Sequence, residues 1–344
     1  MLHNMDLQKL SQVAQALVTR GKGILAADES TGTIEKRLAK INVPSTEDSR
    51  RAYRQMLLTA PGMEQYISGV IFYDETFRQS TTDGKPFLQL LKEIGVLPGI
   101  KVDKGAVPMS TSPNEMITTG LDSLPQRLVE YAQMGAAFAK WRAVITIGDG
   151  LPTPANITQN AKDLAQYAKY CQEAGIVPII EPEVLMDGSH SMARCEEVTR
   201  QVIAAVFEEL RNAGVAMEGI ILKTNMIVPG KESGQKASPE EVATATLKVL
   251  SDLLPNTLPG EAFLSGGQGD VEATANLNAM NQKGPFPWKL SFSYGRALQD
   301  AALKAWGGKQ ENVLAAQKTF LHRAKMNSLA SLGKYSEAEE DSLP

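Results

Sequence analysis

Short runs of mainly aliphatic residues recur along the chain, and longer segments with helical periodicity separate them. Near-continuous apolar runs are typical of parallel strands that are buried on both faces. Most runs begin about 30–45 residues apart, which suits β-α crossover units. The eight runs are GILAAD (23–28), SGVIFYD (68–74), PGIKVD (98–103), AFAKWR (137–142), IVPIIEPE (176–183), GIILKTN (219–225), AFLSGG (262–267) and KLSFSY (289–294).

Amphipathic segments fill the intervals between these runs. They include residues 47–59, 86–94, 123–134, 157–174, 190–212 and 239–253. Eight strand–helix repeats in a chain of this length predict an α/β protein, a closed TIM (β/α)8 barrel. A doubly wound sheet is the alternative. It would need a glycine-rich dinucleotide loop after an early strand, and the sequence has none.

Both ends of the chain predict additions to the barrel. Residues 1–18 have the pattern of an amphipathic helix, and residues 295–335 predict two helices after the last strand. No Ser/Gly-rich linker divides the chain, so we expect one domain over residues 1–344. The acidic segment 336–344, SEAEEDSLP, lacks aromatic residues and is expected to be a flexible tail.

Composition limits the classes of function. A net charge of −4 over 344 residues argues against general binding of nucleic acid or anionic membranes. We find neither a membrane-spanning run nor a targeting peptide, so a cytoplasmic location is expected. Cys171 and Cys195 both lie in helical segments, which suits a reducing compartment. The three histidines, His3, His190 and His322, have no metal-ligand spacing, and neither a metal nor a cofactor is expected.

Ionisable and phosphate-binding residues end most of the predicted strands. In a β/α barrel the active site lies at the carboxyl ends of the strands. Any one of these residues alone could be an ordinary surface group, but together they predict a functional ring around one mouth. Asp74 and Glu75 end the second strand without a predicted role. The other members are Asp28, Lys101, Lys140, Glu181, Glu183, Lys223, Ser265, Gly266, Gly267, Gly295 and Arg296.

Lys223 is the candidate nucleophile. It follows the apolar residues 220–222, and an ammonium group in such surroundings loses hydration, which favours the neutral amine. A neutral lysine can form a Schiff base with a carbonyl substrate. The alternative is a strand-end lysine that reaches solvent or pairs with a carboxylate.

Two regions could each bind an anion. The segment SGGQG (265–269) follows a strand and can present backbone N–H groups, and Arg296 could clamp phosphate oxygens beside it. Phosphate is frequently bound after strands seven and eight of such barrels. Residues that could hold a second anion are Ser30, Thr33, Arg37, Arg50 and Lys101, although Ser30 and Thr33 also fit helix N-cap chemistry.

The motifs together resemble the class I, or Schiff-base, fructose-1,6-bisphosphate aldolases over residues 5–335. They occur in the family's order, and the joint match is far more specific than any one motif. They are GKGILAADESTGTI, SRRAYRQ, GIKVDKG, KWR, IVPIIEPE, LKTNM, FLSGGQ and FSYGRALQDAALKAWGG. The resemblance implies a β/α barrel that forms a homotetramer. It also implies reversible cleavage of fructose 1,6-bisphosphate to dihydroxyacetone phosphate and glyceraldehyde 3-phosphate.

The resemblance also implies a role for each catalytic residue. Lys223 matches the imine-forming lysine, and Glu181 matches the residue that transfers protons during formation and dehydration of the carbinolamine. Asp28 matches the acid that takes the C4 hydroxyl proton. Lys140 supplies positive charge beside the imine, and Glu183 belongs to the charge network.

The same comparison divides the remaining residues between two phosphate sites. Ser265, Gly266, Gly295 and Arg296 match the site for the C1 phosphate, and Gly267 lies in the same loop. Ser30, Thr33 and Lys101 match the region of the C6 phosphate. Arg37 and Arg50 are in matching basic positions, and Arg142 of the KWR motif is grouped with the substrate-binding residues. Thr33 replaces a serine that is common in animal members and keeps the hydroxyl.

Some alternatives stay open. Animal and plant members end in a tyrosine that assists proton exchange at the enamine, whereas this chain ends in Asp-Ser-Leu-Pro after Tyr335. The substrate range could be broader and include sedoheptulose 1,7-bisphosphate, or it could favour a monophosphate. A barrel kept mainly as a scaffold is the third hypothesis. Cytoskeletal or other acidic proteins are candidate partners for the basic mouth.

Overall fold

The computed structural model describes residues 6–340, and they form a barrel of eight parallel strands surrounded by helices. Around the barrel the strands lie in the order β1, β10, β9, β8, β7, β6, β3, β2, which returns to β1. The strands are β1 (Gly23–Ala27), β2 (Ile67–Phe72), β3 (Leu97–Lys101), β4 (Ala106–Met109), β5 (Ser112–Thr118), β6 (Phe138–Ile145), β7 (Val177–Val184), β8 (Ile221–Leu222), β9 (Gly260–Phe263) and β10 (Lys289–Tyr294).

Helices follow the strands and cover the outside of the barrel. They are α1 (Leu7–Leu17), α2 (Thr31–Ala39), α3 (Glu47–Leu58), α4 (Asp74–Phe77), α5 (Phe87–Glu93), α6 (Leu124–Met134), α7 (Pro154–Glu173), α8 (Met192–Asn212), α9 (Pro239–Leu253), α10 (Asp270–Gln282), α11 (Arg296–Trp306), α12 (Val313–Ser331) and α13 (Glu337–Glu340). No helix within residues 6–340 is long and apolar enough to cross a membrane.

Two layers of apolar side chains hold the strands in place. Side chains alternate between the two faces of a strand, so neighbouring residues belong to different layers. Ile221 points into the barrel, where it packs with Ile179 and Phe138, whereas Leu222 belongs to the larger layer beneath the helices. Phe138 lies against the backbone of Gly99, where a Cβ would be 2.3 Å from its ring. The interior below the mouth is therefore largely filled by apolar side chains, and the ionisable residues of the cavity lie at or beyond the strand ends.

The predicted barrel is confirmed, because each of the eight apolar runs overlaps one barrel strand, although the run at 262–267 shares only its first two residues with β9. Helices also occupy the six named amphipathic segments. The apolar pattern does not predict the antiparallel hairpin β4–β5, which pairs Ala106 with Thr118 outside the barrel. Its strand β4 is exposed for most of its length, so it lacks the apolar run from which the other strands were identified.

Both predicted terminal additions are helical where the structure describes them. The N-terminal helix is α1, and the two predicted C-terminal helices are α11 and α12. Residues 1–5, including His3, and residues 341–344 of the acidic tail lie outside the described residues. Within that tail, residues 337–340 form α13, and Glu340 pairs with the buried Arg323 of α12.

Candidate active site

The ends of four barrel strands, β1 and the adjacent β6, β7 and β8, each place one ionisable residue directly above the apolar interior. Because side chains alternate along a strand, the residue two positions after an interior apolar residue points to the same face. At the ends of four strands, the last interior apolar residue is followed two positions later by an ionisable residue. The pairs are Ala26–Asp28, Phe138–Lys140, Ile179–Glu181 and Ile221–Lys223.

These four residues form one buried ionic network. Nζ of Lys223 lies 3.1 Å from Oε1 of Glu181, and Nζ of Lys140 lies 3.1 Å from Oε2 of the same carboxylate. Lys140 also reaches Oδ2 of Asp28 at 2.7 Å. Glu181 therefore lies between two lysines, and Lys140 lies between two acids. Only 3% of Lys223 and 4% of Lys140 is exposed, so water screens these charges poorly.

The charges in the network determine one another's ionisation. Burial alone would raise the pKa of Asp28, but Lys140, with help from Lys223 and Lys101, holds it far below its usual value. The pKa of Glu181 is likewise lowered, because Lys140, Lys223 and Arg142 outweigh the effect of its burial. Burial would lower the pKa of Lys140, yet Asp28 and Glu181 raise it instead. Lys140 is thus a permanent cation beside two permanent anions near neutral pH.

Two further ion pairs extend the network toward the rim. Arg142 of β6 pairs with Glu183 of β7, and the pKa of Arg142 is raised because this carboxylate and Glu181 outweigh its burial. Lys101 pairs with Asp103, whose other oxygen accepts a bond from the backbone N–H of Arg142 at 3.4 Å. Asp103 therefore joins the ends of β3 and β6.

A glycine turn and a helix N-terminus form one side of the mouth. Gly266 and Gly267 have φ values of 58° and 87°, a left-handed conformation that glycine adopts without strain. The turn is closed by Gln268, whose backbone N–H donates to the carbonyl of Ser265 at 3.0 Å. Arg296 is the first residue of α11 and is exposed at the same rim. Backbone donors, a helix N-terminus and a guanidinium are a suitable set for binding phosphate.

Basic and hydroxyl side chains form the opposite side. Oγ of Ser30 lies 3.1 Å from Oγ1 of Thr33, and Ser30 makes no side-chain capping bond to α2, although it occupies the N-cap position. Arg37 pairs with Glu29, which also binds the buried Arg54 at 2.6 Å. The two hydroxyls thus remain available to a ligand at the start of α2.

A cavity of about 390 Å³ brings most of the predicted site residues together. Gly267 and Arg50 do not line it. Arg50 instead binds Glu75 through two hydrogen bonds, at 2.8 and 2.5 Å. Arg50 therefore forms an ion pair outside the cavity, and its partner is Glu75, for which the sequence predicts no role. The predicted residues that line the cavity are Asp28, Ser30, Thr33, Arg37, Lys101, Lys140, Arg142, Glu181, Glu183, Lys223, Ser265, Gly266, Gly295 and Arg296.

Four polar residues that line this cavity are not among the predicted site residues: Glu29, Lys36, Lys40 and Ser293. Glu29 directly follows Asp28 after β1, Lys36 lies on the exposed part of α2, and Lys40 is the exposed C-cap residue of that helix. Ser293 is 1% exposed, and its hydroxyl has no hydrogen-bond partner among the described residues. A signal for Ser293 existed, because polar serines alternate with apolar residues in KLSFSY and must point into the barrel.

Comparison with known proteins identifies the family. The family model for fructose-bisphosphate aldolase class-I matches residues 9–343. The chain belongs to the class-I fructose-bisphosphate aldolase family. It is 56% identical to cytosolic fructose-bisphosphate aldolase 4 of Arabidopsis thaliana over 318 residues, which are 92% of this chain and 81% of that protein. It is 54% identical to fructose-bisphosphate aldolase 2 of Caenorhabditis elegans over 329 residues, which are 95% and 90% of the two chains.

A solved structure gives the same result for this aldolase. The fructose-bisphosphate aldolase of Plasmodium falciparum, in a ternary complex with TRAP and a small-molecule inhibitor, superposes with a TM-score of 0.96. The two proteins are 46% identical, and the match covers 97% of each chain. This aldolase therefore shares the fold of that family member over nearly its whole length.

Proposed function

We propose that this aldolase reversibly cleaves fructose 1,6-bisphosphate to dihydroxyacetone phosphate and glyceraldehyde 3-phosphate through a Schiff base on Lys223. The observation that carries the proposal is the buried network of Lys223, Glu181, Lys140 and Asp28 between two phosphate-binding sides of one cavity. A nucleophile, two acid–base groups and two anchors for a bisphosphate are what this reaction needs.

Imine formation uses Lys223 and Glu181. The amine of Lys223 adds to the C2 carbonyl of the open-chain ketose, and the resulting carbinolamine loses its hydroxyl as water. The hydroxyl needs a proton in order to leave, and the amine must lose one in order to attack. Glu181, 3.1 Å from Nζ of Lys223, is within reach for both transfers.

Carbon–carbon cleavage follows from the electron demand of the iminium. Asp28 takes the proton of the C4 hydroxyl, the C3–C4 bond breaks, and its electron pair passes into the iminium to give an enamine. Glyceraldehyde 3-phosphate leaves. Protonation of C3 and hydrolysis of the imine then release dihydroxyacetone phosphate and regenerate Lys223. Lys140, 2.7 Å from Asp28, keeps this carboxylate ionised and so ready to accept a proton.

The two sides of the cavity orient the substrate. The C1 phosphate is assigned to Ser265, Gly266, Gly295 and Arg296, and the C6 phosphate to Ser30, Thr33 and Lys101. Binding at both ends fixes the C2 carbonyl near Lys223 and converts remote binding energy into alignment of the reacting carbons. A substrate with one phosphate loses one anchor. Comparing rates with fructose 1-phosphate and sedoheptulose 1,7-bisphosphate will therefore define the substrate range.

Location and assembly are part of the proposal. The name of the Arabidopsis relative places that protein in the cytosol, which supports a cytoplasmic location here. A homotetramer is expected from the family resemblance, and sedimentation velocity measures it directly.

Binding of an acidic protein at the mouth is a second candidate function. The exposed Lys36, Lys40 and Arg296 support an acidic partner, and the Plasmodium aldolase structure, a complex with TRAP, supports binding of another protein.

The reaction class is tested by reduction with borohydride in the presence of dihydroxyacetone phosphate and EDTA, followed by peptide mapping. We expect a covalent adduct on Lys223 and cleavage activity that EDTA does not change. Matched controls are Lys223→Met, which should give no adduct, and Lys248→Met at an exposed lysine on α9. An adduct spread over surface lysines, or none on the Lys223 peptide, would contradict the Schiff-base mechanism.

A further inference from the structure

Two loops at the mouth are joined by backbone hydrogen bonds. The loop after β8 donates from Lys231 to the carbonyl of Met186 at 2.8 Å, and from Gly230 and Glu232 to the loop after β7 at 2.9 Å. Gly230 is packed so closely that a Cβ there would lie 2.3 Å from the carbonyl oxygen of Gly188. The backbone position of Lys231 is therefore set by main-chain contacts rather than by its own side chain.

From that position the side chain of Lys231 reaches the phosphate-binding turn. A Cβ added to Gly267 would lie 2.7 Å from Nζ of Lys231 and 3.4 Å from Nη2 of Arg296. The ammonium and the guanidinium thus approach the same point, on the face of the turn that glycine leaves without a side chain. Two cations held this close repel each other unless an anion lies between or beside them.

Carboxylates of the protein neutralise these two cations only weakly. Lys231 lies 3.3 Å from Oδ1 of Asp187, but the Asp187 side chain is 66% exposed, so this pair is weak. Arg296 forms no salt bridge with any other residue in the part of the chain that the structure describes. A buried or well-paired cation would have a structural role. Lys231 and Arg296 are instead exposed and lack a strong carboxylate partner, as expected for cations that bind an anionic ligand.

We propose that Lys231 binds the C1 phosphate together with Arg296, and thereby contributes to the affinity for dihydroxyacetone phosphate. This inference rests on the proposed function, because that function assigns the C1 phosphate to Ser265, Gly266, Gly295 and Arg296, beside Gly267. The residue acts on only one end of the bisphosphate. Its cation lies at the turn after β9, whereas the C6 phosphate is assigned to Ser30, Thr33 and Lys101 across the cavity.

The test measures the two triose phosphates separately in the condensation direction. In Lys231→Met the KM for dihydroxyacetone phosphate should rise by about three- to tenfold, the effect of losing one partly exposed cation. The KM for glyceraldehyde 3-phosphate should not change. Lys231→Arg keeps the charge and should stay close to wild type. Lys236→Met, an exposed lysine of the same loop, is the matched control. Calorimetric titration with dihydroxyacetone phosphate should show the same loss of affinity without any turnover.

The possible results separate this inference from the proposed function. If Lys231→Met binds dihydroxyacetone phosphate as tightly as Lys236→Met does, the inference is wrong. It is also wrong if both KM values rise together, since that pattern indicates a displaced loop. The proposed function is judged independently, by the adduct on Lys223 in the wild-type protein. Added salt should weaken dihydroxyacetone phosphate binding more in wild type than in Lys231→Met, because one screened charge is missing from the variant.

Discussion

Glu181 faces Lys223 across the boundary between two neighbouring strands, with 3.1 Å between Oε1 and Nζ. The contact exists because Ile179 and Ile221 are register partners, and the two ionisable side chains each lie two residues further along the same faces. A proton acceptor is thus held against the candidate nucleophile by sheet geometry alone. The chemistry assigned to Glu181 requires this contact, and it can be tested by removing the charge while keeping the shape.

We expect Glu181→Gln to lower kcat by about 10²–10⁴-fold, the usual contribution of a positioned acid–base group. KM should change little, because the phosphate anchors are untouched. Steady-state kinetics with fructose 1,6-bisphosphate measure both quantities, and rapid-quench borohydride trapping shows whether imine formation has become the slow step. A kcat within about threefold of wild type would mean that proton transfer at this position does not limit the reaction.

Lys140 stabilises the fold only while its acid partners are ionised. Lys140→Met leaves Asp28 and Glu181 buried with less compensating charge, and removing one partner of a buried ion pair costs about 3–5 kcal/mol. The pKa values of both acids should rise in the variant. The penalty is then fully present at neutral pH and is relieved as pH falls through the raised pKa values, where protonation removes the charge. Guanidinium unfolding at pH 5 and pH 8 measures this, with the exposed Lys248→Met as the control. Equal losses at both pH values would contradict the explanation.

The acidic end of the chain is predicted to matter more for stability than for turnover. Glu340 pairs with Arg323, which is 4% exposed. Burial would raise the pKa of Glu340, but Arg323 outweighs that effect and holds the pKa below its usual value. Deleting residues 337–344 should cost about 1–3 kcal/mol, because the buried Arg323 loses its hydrogen-bonded carboxylate partner Glu340. Cleavage turnover should change only weakly. Thermal unfolding and kinetics in both directions check the two statements, with Glu340→Gln as the matched point variant. A large loss confined to cleavage would show that the tail assists proton exchange at the enamine.

The sequence predicted the parts of the fold that depend on periodicity. Buried parallel strands appear as apolar runs, so all eight barrel strands were identifiable, and the residues at their ends could be assigned to one mouth. The hairpin β4–β5 was missed because β4 is exposed and therefore has no apolar signal. The charge and the motif of Arg50 both favour a phosphate-binding role. Its partner Glu75 lies 25 residues away in the chain, and a sequence pattern does not reveal such a pairing.

Contacts between loops were the least predictable part of the site. Lys231 follows Pro229 and Gly230 in a segment with no periodicity, and only its backbone bonds to the loop after β7 bring it to Gly267. Glu29 was missed for a different reason. Its neighbour Asp28 already explained the motif, and its role in binding Arg37 and Arg54 depends on how α2 and α3 pack.

A fully buried carboxyl supports the residue after the nucleophile. Glu261 of β9 accepts hydrogen bonds from the backbone N–H of Thr224 at 2.7 Å and from its hydroxyl at 2.9 Å, and its other oxygen has no partner within residues 6–340. Burial raises the pKa of Glu261 to about 7, and the two bonds from Thr224 only partly oppose this effect.

The raised pKa predicts how stability depends on pH. In the unfolded chain the group loses its proton near pH 4.5, whereas in the folded protein it keeps the proton up to about pH 7. Folding therefore carries no charge penalty below pH 4.5, and the penalty grows between these values to about 3 kcal/mol. Glu261→Gln keeps an acceptor for Thr224 and cannot ionise. The wild-type free energy of unfolding should therefore fall relative to that of the variant as pH rises from 4.5 to 7, and the difference should be constant above pH 8. Parallel curves for the two proteins would show that Glu261 is not neutral in the folded state near pH 6.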